Sequence, residues 1–257
     1  MSRLLQSPVR RLVAVFLVVF VAVLILRFPL SAALGLAGAG AQGLSYTRAE
    51  GTVWNGTLHD AAFGPYPLGR VQVSLKALPL FWGTAALEWD VSRPGLNGTG
   101  TLARTLGGTL RIGDAKLSLD LSTAPTLVPM RGSLWAEVDK LAIGTDGCRE
   151  AAGYLSTDGT IEGLDRAQWD MPRLEGPVSC ADSALRLPLA GQGPENAVAA
   201  EVRVGPDLRY VVNVRIETVD PDVQNALLML GFSGDAPVYE LTQQGVWRAP
   251  RSGADPG

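Results

Sequence analysis

Side chains that commonly do chemistry are sparse here and badly placed for it. His59 is the only histidine in 257 residues, so no histidine pair can hold a metal and only one imidazole is there to activate a nucleophile. On its own it reads as a polar residue beside a turn. The acid pairs Glu88/Asp90 and Glu137/Asp139 are spaced by two, which in a strand puts both carboxylates on one face. Leu87, Trp89 and Val91 around the first pair, and Ala136 and Val138 around the second, are apolar, so that face is the solvated one rather than a cleft with carboxylates on opposite walls. Gly38, Gly40 and Gly43 satisfy G-x-G-x-x-G, but a dinucleotide fingerprint needs a strand before it and a helix after it. Here an apolar segment precedes and strand-like residues follow. There is no G-x-S-x-G, P-loop, H-E-x-x-H or EF-hand spacing. The expectation is a non-enzymatic chain with no catalytic residues, no cofactor and no metal.

The elements that would carry any function are strands. Val71, Val73 and Leu75 alternate with polar residues, as do Leu87, Trp89 and Val91, then Leu117, Leu119 and Leu121. Leu134, Ala136 and Val138, and later Val212, Val214 and Ile216, repeat the pattern. Period-two alternation of this kind is that of antiparallel strands with one buried face. Asn55-Gly56, Asn97-Gly98, Asp146-Gly147 and Asp158-Gly159 are expected as hairpin turns, because type I′ turns need positive φ at both central positions. Near the end, Asp220 and Pro221 open a helix whose Val223, Ala226, Leu227 and Leu230 share a face and which Gly231 closes. It is expected to cover an open edge or mouth of the sheet, ahead of a last strand around 238–242. The fold class is therefore mainly β, an antiparallel meander forming a sandwich or an open half-pipe, with one C-terminal helix.

Leu12–Leu26 is an unbroken run of 15 apolar residues preceded by Arg3, Arg10 and Arg11. Such a run reads as a single transmembrane signal-anchor with a cytoplasmic N-terminus, lengthened by Phe28–Leu36. A cleaved signal peptide is the alternative, with small residues at Ala39-Gly40-Ala41 or Ser31-Ala32-Ala33. The expected organisation is a basic cytoplasmic tail at 1–11, the anchor at 12–34, a flexible linker at 35–44, an exported β-domain at 45–247 and a disordered tail at 248–257. Residues 1–41 hold four arginines and no acid, so the rest carries 18 basic against 25 acidic residues, a net −7. An acidic domain without a basic, aromatic-studded patch is no nucleic-acid binder. Export also makes a disulfide the natural state of the only two cysteines, Cys148 and Cys180.

Six tryptophans remain: Trp54, Trp82, Trp89, Trp135, Trp169 and Trp247. Most are expected in the core. Trp54 with Asn55, and Phe81 with Trp82, sit beside glycines at strand ends, where they could anchor a partner or rest at a membrane interface.

The run Gly51-Thr52-Val53-Trp54-Asn55-Gly56 resembles the type II secretion system protein N family. Pro67–Val71, the Leu78–Gly83 segment (LPLFWG), the cysteine pair, Asp220-Pro221 followed by Leu227–Phe232 (LLMLGF), and Tyr239–Leu241 extend the likeness over nearly the whole chain. The resemblance implies an accessory, single-pass inner-membrane protein with a periplasmic domain. It would contact other inner-membrane components or the outer-membrane secretin while folded proteins cross the outer membrane. It brings no catalytic residues with it. The rival reading is a periplasmic envelope protein that handles lipid on an apolar sheet face.

Overall fold

Alternation becomes architecture when strands pair, because directly opposed residues of an antiparallel pair lie on the same face. The computed structural model describes residues 8–64, 66–80, 82–123, 130–161 and 171–246. Helices α1 (Pro8–Leu26) and α2 (Leu30–Leu36) lead into the strands β1 (Leu44–Ser45), β2 (Arg48–Thr52), β3 (Asn55–Phe63) and β4 (Tyr66–Lys76). The single-turn helix α3 (Ala77–Leu80) connects to β5 (Thr84–Arg93), β6 (Leu96–Thr105), β7 (Leu110–Asp120), β8 (Met130–Gly144) and β9 (Gly147–Ile161). Then come β10 (Leu174–Ala181), β11 (Ala184–Gln192), β12 (Asn196–Val204), β13 (Arg209–Thr218), helix α4 (Pro221–Met229) and β14 (Val238–Val246). All 14 strands join one antiparallel sheet, and from β3 to β14 each strand pairs with the next in sequence. β1 and β2 share the outer side of β3. β14 does not return to β1, so the sheet is open. The meander is as expected, and the sandwich alternative is overturned: there is one sheet, not two.

Register sorts the residues cleanly. One row across the sheet reads Leu58, Val71, Val91, Gly98, Leu117, Ala136, Leu155 and Gly176. It continues through Leu189, Ala200, Val214 and Leu241. The neighbouring row on the other face reads Gln72, Asp90, Thr99, Lys116, Glu137 and Tyr154. The sheet is thus amphipathic across its whole width.

Among the described residues two helices lie on the apolar face, one towards each edge. α2 covers β3: a Cβ added to Gly56 would meet Leu30 Cδ2 at 2.5 Å, and Leu30 is buried with Leu58, Ala61, Val71, Val91 and Leu96. α4 covers the other flank, where Val223 and Leu227 are fully buried among Leu174, Val198, Ile216, Phe232 and Tyr239. Its start is as expected. The Asp220 carboxylate accepts from the backbone N–H groups of Asp222 and Val223, and Pro221 takes the first position. Gly231 follows at φ 90°.

The segment expected as one anchor over 12–34 is not a single helix. Pro29 disfavours helical backbone at Phe28, so α1 stops at Leu26 and the chain restarts as α2 with Pro29 at its cap. Leu30 and Leu34 then pack into the sheet instead of lengthening the apolar helix. Among the described residues no helix is long and apolar enough to cross a membrane. The 35–44 segment runs from the last two residues of α2 through hydrogen-bonded turns and a short 3-10 helix at Gly40–Gln42 into β1, with Ala39 N–H donating to Leu34 O and Leu44 N–H to Ala39 O.

The turn expectations are corrected too. Asn55-Gly56 and Asn97-Gly98 lie inside strands, and the turns fall at Val53-Trp54 and Pro94-Gly95. Pro followed by Gly at φ 80° suits a type II turn. The β8–β9 turn is Thr145-Asp146, and Asp158-Gly159 lies within β9. Gly98 and Gly100 serve packing instead. A Cβ on Gly98 would be 3.2 Å from Trp89 Cζ3, and one on Gly100 would be 2.8 Å from Trp89 Cζ2, so the indole lies across both.

Candidate functional site

Between the helix-covered flanks, the apolar face of β5–β9 carries Leu87, Leu102, Ile112, Val138, Leu141 and Leu155. These side chains are half-buried, shielded by neighbours on the same face. Among the described residues no helix or second sheet packs on them. Leu155 stands between Ala136 and Gly176 in its row, with small residues on either side of it. The centre of the sheet is therefore an apolar floor, which can accept hydrocarbon but offers no acid–base chemistry.

The opposite face is polar, and several of its carboxylates are paired with cations. Glu88 meets Lys76 at 2.7 Å, Glu137 meets Lys116 at 2.8 Å, and Glu201 meets Arg186 at 2.6 Å. Glu240 meets Arg215 at 3.1 Å. Hydrogen bonding from the Lys76 ammonium holds the Glu88 carboxyl below the usual range, and Lys140 does the same for Glu150. Tyr154 donates to Glu175 and is pushed up by that bond. Two carboxyls with divergent protonation would be the mark of an acid–base couple; this face instead shows ion pairs bridging neighbouring strands. Grooves of about 580 and 510 Å3 lie here, lined mainly by such side chains. His59 sits on β3 with Nε2 3.5 Å from Glu50 Oε2. Among the described residues no cluster of three potential metal ligands occurs.

The aromatic residues divide into three situations. Trp54 is half-buried in the β2–β3 turn, and its indole N–H donates to the Ile25 carbonyl at 2.9 Å. Beside it, Val53 N–H donates to Phe28 O and Leu75 N–H to Val53 O. Trp54 therefore joins the end of α1 to the sheet, a role that only the three-dimensional structure displays. Its neighbour Asn55 is exposed. Trp82 is 78% exposed, while Phe81 lies outside the described residues, as do Trp169 and Trp247. Trp135 corrects the core expectation: it is on the polar face, with the Arg173 guanidinium 5.4 Å from its ring centroid. Of the four described tryptophans only Trp89 lies on the apolar face.

Cys148 and Cys180 form a disulfide with Cα atoms 5.6 Å apart. It ties the start of β9 to the end of β10, where Cys148 N–H also donates to Ser183 O. With this architecture in hand, a family model for type II secretion system protein N matches residues 42–242. The chain belongs to that family. The match runs from just before β1 through β13 and α4 into β14 as far as Thr242, and leaves α1 and α2 outside. No curated protein and no solved structure matches the chain. Membership of the protein N family establishes an accessory role in type II secretion, alongside other components of that system.

Proposed function

We propose that this protein is held at the inner membrane by α1, with its sheet on the periplasmic side, where it makes protein contacts during export of folded proteins across the outer membrane. One observation carries the membrane part: every residue from Leu12 to Leu26 is exposed. A run of 15 consecutive apolar side chains that stay exposed, on a helix tied to the sheet through the Ile25 carbonyl at its end, gains most by entering lipid. Arg3, Arg10 and Arg11 before it add attraction to anionic headgroups.

For protein contacts the free edge of β14 is the best-built surface. Glu240 exchanges backbone hydrogen bonds with Ser233 on the outer side, so by alternation Thr242 and Gln244 also point their N–H and C=O outward. Among the described residues nothing pairs with them, which leaves a template for an added strand from an inner-membrane component or the secretin. Trp54 and Asn55, beside the groove at Gln72 and Lys76, are a second contact.

The test is a deletion strain assayed for exoproteins trapped in the periplasm. Complementation should succeed with the full chain and fail with a chain lacking residues 1–27, a cut that spares Leu30 and Leu34. Gln244→Pro removes one outward N–H without breaking the β13 ladder, and should impair secretion while the protein still folds. Full rescue by the shortened chain would defeat the membrane part; full rescue by Gln244→Pro would defeat the edge contact.

A second reading is favoured by the uncovered apolar floor on β5–β9: the sheet shields acyl chains as an envelope lipid-handling protein. Phospholipid found by mass spectrometry with the detergent-free 28–257 chain, and lost in Leu155→Asp, would support it. A lipid-free preparation would sink it.

A further inference from the structure

We propose that the end of the sheet from which α1 departs is a second membrane contact, at which Leu78, Leu80, Trp82 and Leu106 seat into the surface of an anionic phospholipid bilayer. The proposal rests on the reading of α1 as the membrane attachment and extends it from one helix to the rim of the β-domain. Leu78, Trp82 and Leu106 are 71%, 78% and 92% exposed. Connections between strands are ordinarily polar, since their side chains face water. Three large apolar residues this open receive nothing from the fold in return.

Their placement is what gives them a common purpose. α3 and Trp82 join β4 to β5, and Leu106 tips the turn from β6 to β7, so the register sets both connections at one end of adjacent hairpins. They touch: a Cβ on Gly83 would lie 2.7 Å from Leu106 Cδ1. The end of α1 arrives at the same place. Trp54 holds the Ile25 carbonyl, Val53 N–H donates to Phe28 O, and Leu75 N–H, one residue before the end of β4, donates to Val53 O. A bilayer that receives α1 must therefore pass close to the rim.

Charge selects the kind of surface. Arg27, where α1 ends, and Arg104, two residues before Leu106, are both exposed, and among the described residues neither has an ion-pair partner. Arginine and tryptophan flanking leucine is the composition of a headgroup boundary, and free guanidinium groups there favour anionic lipid.

Cys148 and Cys180 are bonded to each other, so a cysteine introduced into the full chain is its only free thiol. An environment-sensitive fluorophore is placed singly at Leu106→Cys, Leu17→Cys and Ser233→Cys, and each protein is reconstituted into phosphatidylethanolamine–phosphatidylglycerol vesicles. The expected result is a blue shift and quenching by headgroup-labelled lipid at 106, deeper burial at 17, and a water-like signal at 233. A buried label at 17 with a water-like label at 106 would overturn the rim contact and leave the attachment standing. A water-like label at 17 would overturn the attachment itself. Replacing phosphatidylglycerol by a neutral lipid, or adding Arg104→Glu, should reduce quenching at 106 but not at 17; unchanged quenching at 106 would remove the anionic requirement.

Discussion

The flanks and the centre of this sheet are built from the same alternating strands but finish differently. At the β12–β14 flank, α4 closes over Val198, Ile216 and Tyr239, and Val223 and Leu227 lose all contact with solvent. At the β3–β4 flank, α2 brings Leu30 onto Leu58 and Val71. Between them Leu102, Leu141 and Leu155 keep the same face with no described layer above. Alternation alone makes an apolar face; a helix laid on it makes a core. The flanks hold the fold together, and the centre is left able to meet something else.

The sharpest way to break this contrast is to delete matched side chains. Leu227→Ala removes a fully buried residue beneath α4 and should cost up to about 5 kcal/mol. Leu155→Ala, in the half-buried centre, should cost about 1 kcal/mol, since less area returns to water. Urea unfolding of both variants measures the difference, and equal losses would mean that the centre is packed like the flanks. The disulfide comes next. It closes a loop with a sequence separation of 32, and replacing both cysteines by serine should cost about 3–4 kcal/mol, a figure that depends on the chain-entropy model. Gly100→Ala would push a Cβ against the Trp89 ring and should cost about 1–3 kcal/mol through overpacking. A shift in tryptophan emission would accompany it, and an unchanged spectrum would place the indole elsewhere.

The polar face should yield the smallest effect. Glu88, Glu150 and Asp146 are held low by hydrogen bonds from Lys76, Lys140 and Arg149, and Asp120 by Ser122. A carboxyl lowered in the folded state stabilises it above its ordinary pKa, 4.5 for Glu and 3.8 for Asp. That contribution is lost as pH falls through the lowered value. Lys116 and Lys140 are raised by Glu137 and Glu150, so their contribution is present below 10.5 and lost as pH rises through the raised value. Thermal unfolding should therefore show a plateau between these limits with shallow shoulders outside them. Because the pairs are exposed, added salt should flatten the shoulders. A shoulder near neutral pH would contradict this assignment.

Much of this contrast was legible in the sequence. Val71-Gln72-Val73 and Leu117-Ser118-Leu119 announced strands with two unlike faces, and Asp220-Pro221 announced α4, because caps and period-two patterns are local. The misplaced turns show where locality ends. Asn97-Gly98 has the chemistry of a tight turn, but Pro94-Gly95 three residues earlier takes the turn, and Gly98 is needed where Trp89 lies across β6. Trp135 looked like core by composition, yet its parity in β8 sends it to the polar face with Arg173. The role of Trp54 was not legible, since its partner Ile25 is 29 residues away in another element. The interrupted anchor carried its signal in Arg27 and Pro29, beside an apolar run long enough to mask it.

Thiol accessibility in the folded chain separates an open central floor from a covered one. Single cysteines at Leu155 and Val198, both on the apolar face, would be reacted with a small thiol reagent under native conditions. Leu155→Cys, half-buried with nothing described above it, is expected to react in the folded chain, more slowly than a cysteine at exposed Ser233, while Val198→Cys beneath α4 reacts only as fast as the protein unfolds. Equal protection at both positions would mean that the centre is covered, and the open floor would have to be given up.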